Sequence, residues 1–441
     1  MSAVPRALRR RSLSDRRPGA LMPTAATAVL IGALGCGLAV PAHAVLTGAP
    51  EPSSDQENSA AAAAGPARFS PGVIPADPRH YAAFQITLTG QVPERAVGDL
   101  RVGSFQAGLT RAEPGELLEE LSEPGSEQAQ QVAEAVQQVR PDVLLLSGID
   151  VDEGLQVAAA LQTNYLSIGS AHTAGIDYPH VYVAPVNAGV DTGADLDDDG
   201  MSGGPGDSFG YGEFPGQAGM MILSRVPLET DQARTFQDFK WQDMPGSALP
   251  TEQFTELEAS VLRLSSTSHW DVPVSVGGRT VHLLASAPAD PQTAPAGAER
   301  NHDEVRFWAD YIAGAGYPVD DDGRAGGLEA SSDFVVLGSL GADPATDTGA
   351  DPAAIGHLTD LSRVQDTHPT SSGALLSQTP EDTAAVQDAQ GEPTTARVDY
   401  VLPSSTLTAS NSGVFWPAAG QPGHSAATDH RLVWVDITPD L

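Results

Sequence analysis

The feature that most constrains the fold is a series of short apolar runs, rich in β-branched residues and bounded by turn residues. Runs of this length and composition predict strands that are buried in a sheet. Two of them, Leu100–Phe105 and Asp142–Leu146, come early in the chain. The later runs are Met220–Leu223, Val281–Ser286, Phe334–Gly338, Val398–Leu402 and Leu432–Ile437. We therefore expect a fold built mainly on strands.

Two helices are predicted among these strands. The first covers Ser126–Val139, where Ser126 is a suitable N-cap and three valines form an apolar stripe. The second covers Glu299–Ala313 and has apolar residues on one face. Because strands outnumber helices and occur in pairs, the pattern favours an α/β (α+β) sandwich of two sheets over a single doubly wound sheet.

The N-terminus has the order of a secretory signal peptide. Arginines precede an apolar stretch from Ala20 to Val40, and small residues follow up to Ala44. We predict a cleaved signal peptide over residues 1–44, an Ala-, Pro- and Ser-rich linker over 45–98 and one domain over 99–441. The protein is therefore expected to be secreted.

Other interpretations of the N-terminal region remain open. A membrane anchor is one, although the Ala, Gly and Pro content and the cleavage-type ending argue against it. Paired arginines permit twin-arginine export, and Cys36 permits lipoprotein anchoring. Within the linker, Tyr81–Thr89 is predicted as an edge strand that begins the folded part.

The charge of the chain argues against one class of partner. Asp and Glu number 57 against 23 Lys and Arg, which gives a formal net charge of −34. Affinity for nucleic acid comes mainly from Lys and Arg that neutralise phosphates, so duplex nucleic acid is not expected as a partner. If the single cysteine, Cys36, leaves with the signal peptide, disulfides, thiol catalysis and cysteine-ligated zinc are excluded from the mature chain.

From about Leu100 onward, several stretches resemble the secreted bacterial branch of the endonuclease/exonuclease/phosphatase family, metal-dependent phosphoesterases related in fold to DNase I. The stretches are GQAGMMILSR (Gly216–Arg225), RTFQDFKWQDMP (Arg234–Pro245), SHWDVPV (Ser268–Val274), RNHDEVRFWADYI (Arg300–Ile312), RVDYVLPS (Arg397–Ser404) and TDHRLVWVD (Thr428–Asp436). The resemblance implies a four-layered sandwich, with two mixed β-sheets face to face and helices outside. It also implies an active site at the strand ends, where Mg²⁺ or Mn²⁺ and an Asp-oriented His activate water.

Five positions depart from the residues that the resemblance implies. Gln106 stands where an Asn is expected, and Gly148 stands where a Glu metal ligand is expected. Ala287 replaces the His of a His-Pro motif, while Ser339 and Gly341 replace an Asp and an Asn beside the scissile phosphate. The Thr-Ala-Asp-Phe stretch expected before RVDY is also not recognisable. The divalent metal is therefore expected to bind weakly or not at all.

One half of the implied site is retained. By the resemblance, Asp399 is the orienting carboxylate, Asp429 a metal ligand and His430 the general base. Asp150, two residues after Gly148, is a less favoured substitute metal ligand, because two residues along a strand span about 6–7 Å.

A second candidate metal site lies in a long loop. Asp195, Asp197 and Asp199, followed by a glycine, match the first half of an EF-hand-like calcium loop. The twelfth position is Gly206 and not Glu, although Asp207 could complete the site. A structural Ca²⁺ and a solvated acidic loop are both compatible with this pattern.

Two functional hypotheses follow. The first is a secreted pseudoenzyme of the family, whose partner is a small phosphate ester or another extracellular ligand. The second is an active Mg²⁺-, Mn²⁺- or Ca²⁺-dependent phosphodiesterase or phosphatase that uses an altered ligand set. The retained half-site supports the second hypothesis and the five departures support the first.

Overall fold

The computed structural model describes residues 92–170, 172–293, 295–373, 379–418, 420–424 and 427–438. The predicted signal peptide, most of the predicted linker and the predicted strand Tyr81–Thr89 lie outside the described residues. The strands are β1 (Leu100–Leu109), β2 (Val143–Ile149), β3 (His180–Tyr182), β4 (Gly219–Ser224), β5 (Arg234–Thr235), β6 (His269–Val276), β7 (Arg279–Ser286), β8 (Asp333–Ser339), β9 (Ala384–Gln387), β10 (Pro393–Ala396), β11 (Asp399–Pro403), β12 (Thr408–Phe415) and β13 (Leu432–Thr438). The α-helices are α1 (Glu116–Leu121), α2 (Glu127–Val139), α3 (Gln156–Leu161), α4 (Glu256–Val261), α5 (Gly297–Ile312) and α6 (Gly356–Thr359).

Two mixed sheets form the centre of the domain. The first has the strand order β12-β13-β1-β2-β4-β3, in which β1 and β2 run parallel and the other neighbours antiparallel. The second has the order β11-β8-β7-β6-β5, in which β7 and β8 are the parallel pair. β9 and β10 form a separate antiparallel hairpin. The predicted fold class is confirmed.

The two sheets pack face to face through a largely apolar core. Val102 and Leu145 of the first sheet belong to the same buried cluster as Val272, Leu283 and Val335 of the second. Removal of such side chains from water is the main favourable contribution to folding. This core fixes the distance between the strand ends of the two sheets.

Helices cover the outer face of each sheet, which completes the four layers. Val136 of α2 packs with Leu144 on the outside of the first sheet. Val305 and Trp308 of α5 pack with Phe334 on the outside of the second. Ser126 caps α2 by accepting a hydrogen bond from the backbone N–H of Ala129, as its position in the sequence predicts.

The alternation of side chains along β1 directs one polar residue toward the opposite sheet. Val102 lies in the core between the sheets, whereas Phe105 packs on the helical side. Because successive residues of a strand face opposite sides, Gln106 lies on the same side as Val102. At the end of the strand this places its amide in the space between the sheets.

The pairing of β1 with β2 is interrupted at the same level. The register shifts between Gln106 and Leu109, and Gly148 has a φ of 59°. Left-handed backbone of this kind is easily adopted only by glycine. The strand prediction ended β1 at Phe105, whereas the strand continues through this irregularity to Leu109.

Residues before the predicted domain start also contact the domain. Arg95 forms an ion pair with Asp142 at 2.9 Å. The backbone carbonyl of Pro93 accepts a hydrogen bond from Arg101. Among the described residues, none of the helices has both the length and the apolar character needed to cross a membrane.

Candidate functional site

A cleft of about 600 Å³ opens where the strands of both sheets end. It contains six of the residues singled out from the sequence: Gln106, Ala287, Ser339, Gly341, Asp429 and His430. Residues more than 300 positions apart in the chain thus lie close together, because β1, β7, β8 and β13 reach the same edge of the sandwich. Such an edge is a usual position for a binding site in an α/β fold.

The retained half-site is a connected pair at one side of the cleft. Nδ1 of His430 lies 2.9 Å from Oδ2 and 3.0 Å from Oδ1 of Asp399, whose side chain is fully buried. Burial lowers the pKa of His430, but the carboxylates of Asp399 and Asp429 raise it by more, so the pKa lies above its ordinary value. Asp399 therefore orients the imidazole and stabilises its charged form.

Thr383 holds the carboxylate of this pair in place, and it was not identified from the sequence. Its hydroxyl donates to Oδ2 of Asp399 at 2.9 Å and accepts from the backbone N–H groups of Val398 and Asp399. Thr383 stands directly before β9, and the β9–β10 hairpin separates it from Arg397 in the chain. No local pattern in the sequence distinguishes it from the other threonines of this region.

Asp429 also lines the cleft, next to His430. Its backbone carbonyl accepts a hydrogen bond from the N–H of Ala385, and Ala384 forms a β-bridge with His430. The hairpin of β9 and β10 therefore fixes the segment that carries both residues.

Another part of the cleft is lined by Gln106, whose amide lies against Gly148, a residue that is not among those lining the cleft. A Cβ placed on Gly148 would lie 1.7 Å from Oε1 of Gln106, far inside van der Waals contact. The amide of Gln106 thus occupies the space that a side chain at position 148 would need. It is held there by the backbone N–H of Gly108, which donates to Oε1 at 3.2 Å.

The other three altered positions are small or uncharged. Ser339 is paired in register with Asp399, which places its side chain at the floor of the cleft. Gly341 has a φ of 73°, and a Cβ there would lie 2.8 Å from Nδ2 of the buried Asn301. Ala287 lies at the end of β7 and packs against the core between the sheets.

A buried carboxyl group supports the segment that begins at Ala287. Glu304 on α5 accepts hydrogen bonds from the backbone N–H of Ala289 at 2.7 Å and of Ser266 at 2.6 Å. Burial raises the pKa of Glu304 to about 7, although Arg300 and these hydrogen bonds lower it. The motif RNHDEVRFWADYI contains Glu304, but the sequence did not indicate its role.

The cleft does not offer the ligands that a divalent ion of this family needs. Its carboxylates are Asp290 and Asp429, and among the described residues that line it none is Lys or Arg. Mg²⁺ requires near-octahedral oxygen coordination, usually with carboxylates that converge on one point. The residues present therefore do not fit the metal.

Asp150 does not substitute for the missing ligand. Its two oxygens accept hydrogen bonds from the backbone N–H groups of Arg111 and Ala218. Burial raises the pKa of Asp150, and the two backbone donors oppose this. The carboxylate connects two loops and is not among the residues that line the cleft.

In the acidic loop, the three aspartates that lie together differ by one residue from the three that the sequence pattern predicted. Oxygens of Asp195, Asp197 and Asp207 lie within 4.8 Å of one another and could hold a metal ion. Asp199 is outside this group, and its carboxylate accepts from the backbone N–H of Met201 at 2.7 Å. Asp207 is fixed by the N–H groups of Leu196 and Gly204.

Several solved structures are similar to this chain at low identity. An endonuclease/exonuclease/phosphatase from Beutenbergia cavernae is 16% identical, with 77% of this chain and 71% of that chain covered and a TM-score of 0.45. The human Nocturnin catalytic domain with bound sulfate is 12% identical, with 78% and 96% covered and a TM-score of 0.41. A family protein from Bacteroides thetaiotaomicron is 11% identical, with 78% and 98% covered and a TM-score of 0.42. No curated protein sequence matches the chain.

The family model described as Endonuclease/Exonuclease/phosphatase family matches residues 118–430. This range begins at the first helix and ends at the His of the retained pair. It therefore includes the whole second sheet, β2, β3, β4 and β12 of the first sheet and most of the cleft residues, and the chain belongs to the endonuclease/exonuclease/phosphatase family.

Proposed function

We propose that this chain is a secreted member of the family, descended from a metal-dependent phosphoesterase, that has lost catalytic activity. Its cleft would serve to bind a small phosphate ester or another extracellular ligand without hydrolysing it. Members of the family generally require a metal ion, so loss of the ion's ligands removes the charge stabilisation on which hydrolysis depends.

The observation that carries the proposal is the position of the Gln106 amide. Because it occupies the space above Gly148, a carboxylate at position 148 has room only if the side chain of residue 106 moves aside or becomes shorter. Relative to the Asn and Glu that the resemblance implies, Gln106 adds one methylene and Gly148 removes a whole side chain, so the longer amide fills part of the space that the ligand would take. If a ligand at position 148 had only moved away, the space above residue 148 would be empty.

The charge of the cleft supports the same conclusion. Phosphate esters are usually held by Arg, Lys, backbone N–H groups or a metal ion. The cleft instead presents Asp290 and Asp429, with His430 as its one group that can become cationic among the described lining residues. An anionic transition state would thus meet more negative than positive charge, and so would a bound phosphate ester, so the charge favours the other class of extracellular ligand.

The retained pair has a structural reason to persist without catalysis. Asp399 is fully buried and accepts from Thr383 and His430, so removal of either partner leaves a buried charge unsatisfied. Such a loss costs roughly 3–5 kcal/mol of stability.

The mature chain, residues 45–441, tests the proposal with bis(4-nitrophenyl) phosphate in Mg²⁺, Mn²⁺ or Ca²⁺. We expect hydrolysis at the background rate in each metal, with no difference between the wild type and His430→Ala. Turnover well above background that disappears in His430→Ala would instead support the second candidate, an active phosphoesterase with an altered ligand set. That candidate is favoured by the intact geometry of Asp399, Asp429 and His430 alone.

Secretion and calcium binding are further parts of the proposal. N-terminal sequencing of the exported protein should give Val45 as its first residue if the predicted cleavage site is used. The group of Asp195, Asp197 and Asp207 would take Ca²⁺, which prefers carboxylate oxygens and is abundant outside cells.

A further inference from the structure

Two histidines meet on the helical side of the second sheet, and neither is among the residues that line the cleft. His302 is on α5 and His357 on α6, and their Nε2 atoms are 3.0 Å apart. The two rings stand nearly perpendicular, at 81°. Both imidazoles thus point a ring nitrogen toward one place between the helices.

A buried carboxylate fixes the orientation of the first ring. Nδ1 of His302 lies 3.1 Å from Oδ1 of Asp303, whose side chain is fully buried. Oδ2 of Asp303 accepts from Nε1 of Trp241 at 2.7 Å and from the backbone N–H of Ala248 at 2.6 Å. Because Asp303 is held in this way, His302 keeps its proton on Nδ1 and presents the lone pair of Nε2. An imidazole oriented by a carboxylate on its other nitrogen is the usual arrangement of a metal-binding histidine.

A third group is in reach of the same place. Oδ2 of Asp351 lies 4.0 Å from Nε2 of His302, and about half of the Asp351 side chain is exposed. Its other oxygen accepts from the backbone N–H of Ala353 at 2.9 Å. Asp351 does not lie within 4.8 Å of the ligand atoms of both rings, so this exposed side chain would have to rotate toward His357 to join an ion held by the two imidazoles.

We propose that His302, His357 and Asp351 form a site for a divalent transition metal of the Zn²⁺ class. Zn–N bonds of about 2.0–2.1 Å at a tetrahedral angle place two ligand nitrogens roughly 3.3 Å apart, so the rings need to separate by only a few tenths of an ångström. Without the ion, the two Nε2 atoms share a proton in a hydrogen bond. One water would complete four-coordination.

The chemistry of this site separates it from the acidic loop. Imidazole nitrogen selects Zn²⁺, Cu²⁺ or Ni²⁺, whereas the carboxylates of Asp195, Asp197 and Asp207 select Ca²⁺ or Mg²⁺. Arg306 is a cationic group beside the site. Its Nε lies 3.5 Å from Oδ1 of Asp303, so its charge is already paired. The bound ion would join α5 to the segment that leads from the cleft to α6, and this inference does not rest on the proposed function.

Zinc titration of the mature, metal-free protein tests the site, with Ca²⁺ in large excess to saturate the acidic loop. We expect isothermal titration calorimetry to show one Zn²⁺ equivalent in the wild type that is lost in His302→Ala and in His357→Ala. Asp351→Asn should weaken binding about tenfold. His172→Ala, which removes an exposed histidine in a loop, is the matched control and should bind Zn²⁺ as the wild type does.

Thermal unfolding gives a second measurement that does not depend on stoichiometry. Zn²⁺ should raise the Tm of the wild type and of His172→Ala but not that of His302→Ala. If Zn²⁺ has no effect on the wild type, or an equal effect on all variants, the pair is an ordinary hydrogen bond between imidazoles and the proposal is wrong.

Discussion

The two sides of the cleft differ in how their polar groups are satisfied. Around Asp399, polar groups form a connected network: Thr383 donates to the carboxylate, the carboxylate contacts His430, and the hairpin donates to the backbone carbonyl of Asp429. Around Gln106 and Gly148, an amide instead fills the space that a metal ligand would need.

This difference explains how structure could be retained on one side of the cleft if, as proposed, the chemistry has been lost on the other. The Asp399 side is a buried network, so a substitution there would be destabilising whether or not the protein is an enzyme. On the Gln106 side, the proposal is that a carboxylate at position 148 has been lost and that the amide of Gln106 fills part of its space. Retention of the acid–base pair is therefore no evidence of turnover.

Restoration of the altered side should produce the largest effect. The variant combines Gln106→Asn, Gly148→Glu, Ala287→His, Ser339→Asp and Gly341→Asn. Shortening residue 106 frees the space beside position 148, so the new carboxylate can face the cleft together with Asp429. We expect Mg²⁺-dependent hydrolysis of bis(4-nitrophenyl) phosphate to rise roughly 10²–10⁴-fold above the wild type.

The control for this restoration is the same variant with His430→Ala added, which should return to background. A restored protein that is folded by circular dichroism and still inert would show that the contrast between the two sides does not explain the inactivity.

The contact between Gln106 and Gly148 can be tested by stability alone. Gly148→Ala places a methyl group against the Gln106 amide and forces a left-handed alanine, so unfolding free energy should fall by about 2–5 kcal/mol. Gly246 is the matched control, because its φ of 65° is similar but a Cβ there meets nothing within 4 Å. Gly246→Ala should cost only about 1 kcal/mol.

A double-mutant cycle in urea isolates the contact itself. Gln106→Ala should remove most of the extra loss in Gly148→Ala, which gives a coupling energy of about 1–3 kcal/mol. Equal effects of the two glycine substitutions, with no coupling to residue 106, would mean that the amide does not occupy the space at position 148.

The sequence predicted the fold well because its strands are buried on both faces or alternate clearly. The runs at Val281–Ser286 and Leu432–Ile437 differ from the observed strands β7 and β13 by at most two residues at either end. β9 and β10 were not predicted, since Ala384–Gln387 and Pro393–Ala396 have neither the length nor the apolar content of a core strand. Their position is fixed by pairing with each other and with the segment before His430.

The candidate site was predicted in part for a similar reason. Cleft residues such as Ala287 and Ser339 were identified by the resemblance to the family's motifs, and both lie at strand ends that line the cleft. The Gln106–Gly148 contact depends on a break in the register of β1 with β2, which no local pattern indicates. Thr383 and Glu304 act through long-range hydrogen bonds that become evident only when the chain is folded.

Glu304, which supports the segment that begins at Ala287, should make the stability of the protein depend on pH. Its pKa is about 7 in the folded state and near 4.5 in the unfolded chain. The folded state therefore binds the proton more tightly, and the free energy of unfolding falls as pH rises from about 4.5 to about 7. At 1.36 kcal/mol per pKa unit, this loss is about 3 kcal/mol.

His269 has the opposite effect, so the measurement must be a difference between variants. Burial lowers the pKa of His269 to about 4, which makes its contribution to stability rise with pH between about 4 and 6.5. Urea unfolding of the wild type and of Glu304→Gln at each pH removes this shared contribution. The wild type should lose about 3 kcal/mol relative to the variant across the window, whereas Glu299→Gln, an exposed control on the same helix, should follow the wild type. Parallel curves for all three proteins would mean that the pKa of Glu304 is not raised in the folded state.

The smallest expected effect is a stabilisation by Ca²⁺, and its measurement shows which part of the molecule binds the ion. If the cleft has lost its ion, any stabilisation by Ca²⁺ must come from the acidic loop, with a magnitude of about 1–2 kcal/mol at tenfold excess over Kd. Asp197→Asn should abolish the rise in Tm, because Asp197 belongs to the group with Asp195 and Asp207. Asp429→Asn in the cleft and Asp199→Asn outside the group should both keep it. Loss of the calcium response in Asp429→Asn would mean that the cleft still holds an ion, and the contrast between its two sides would then have to be abandoned.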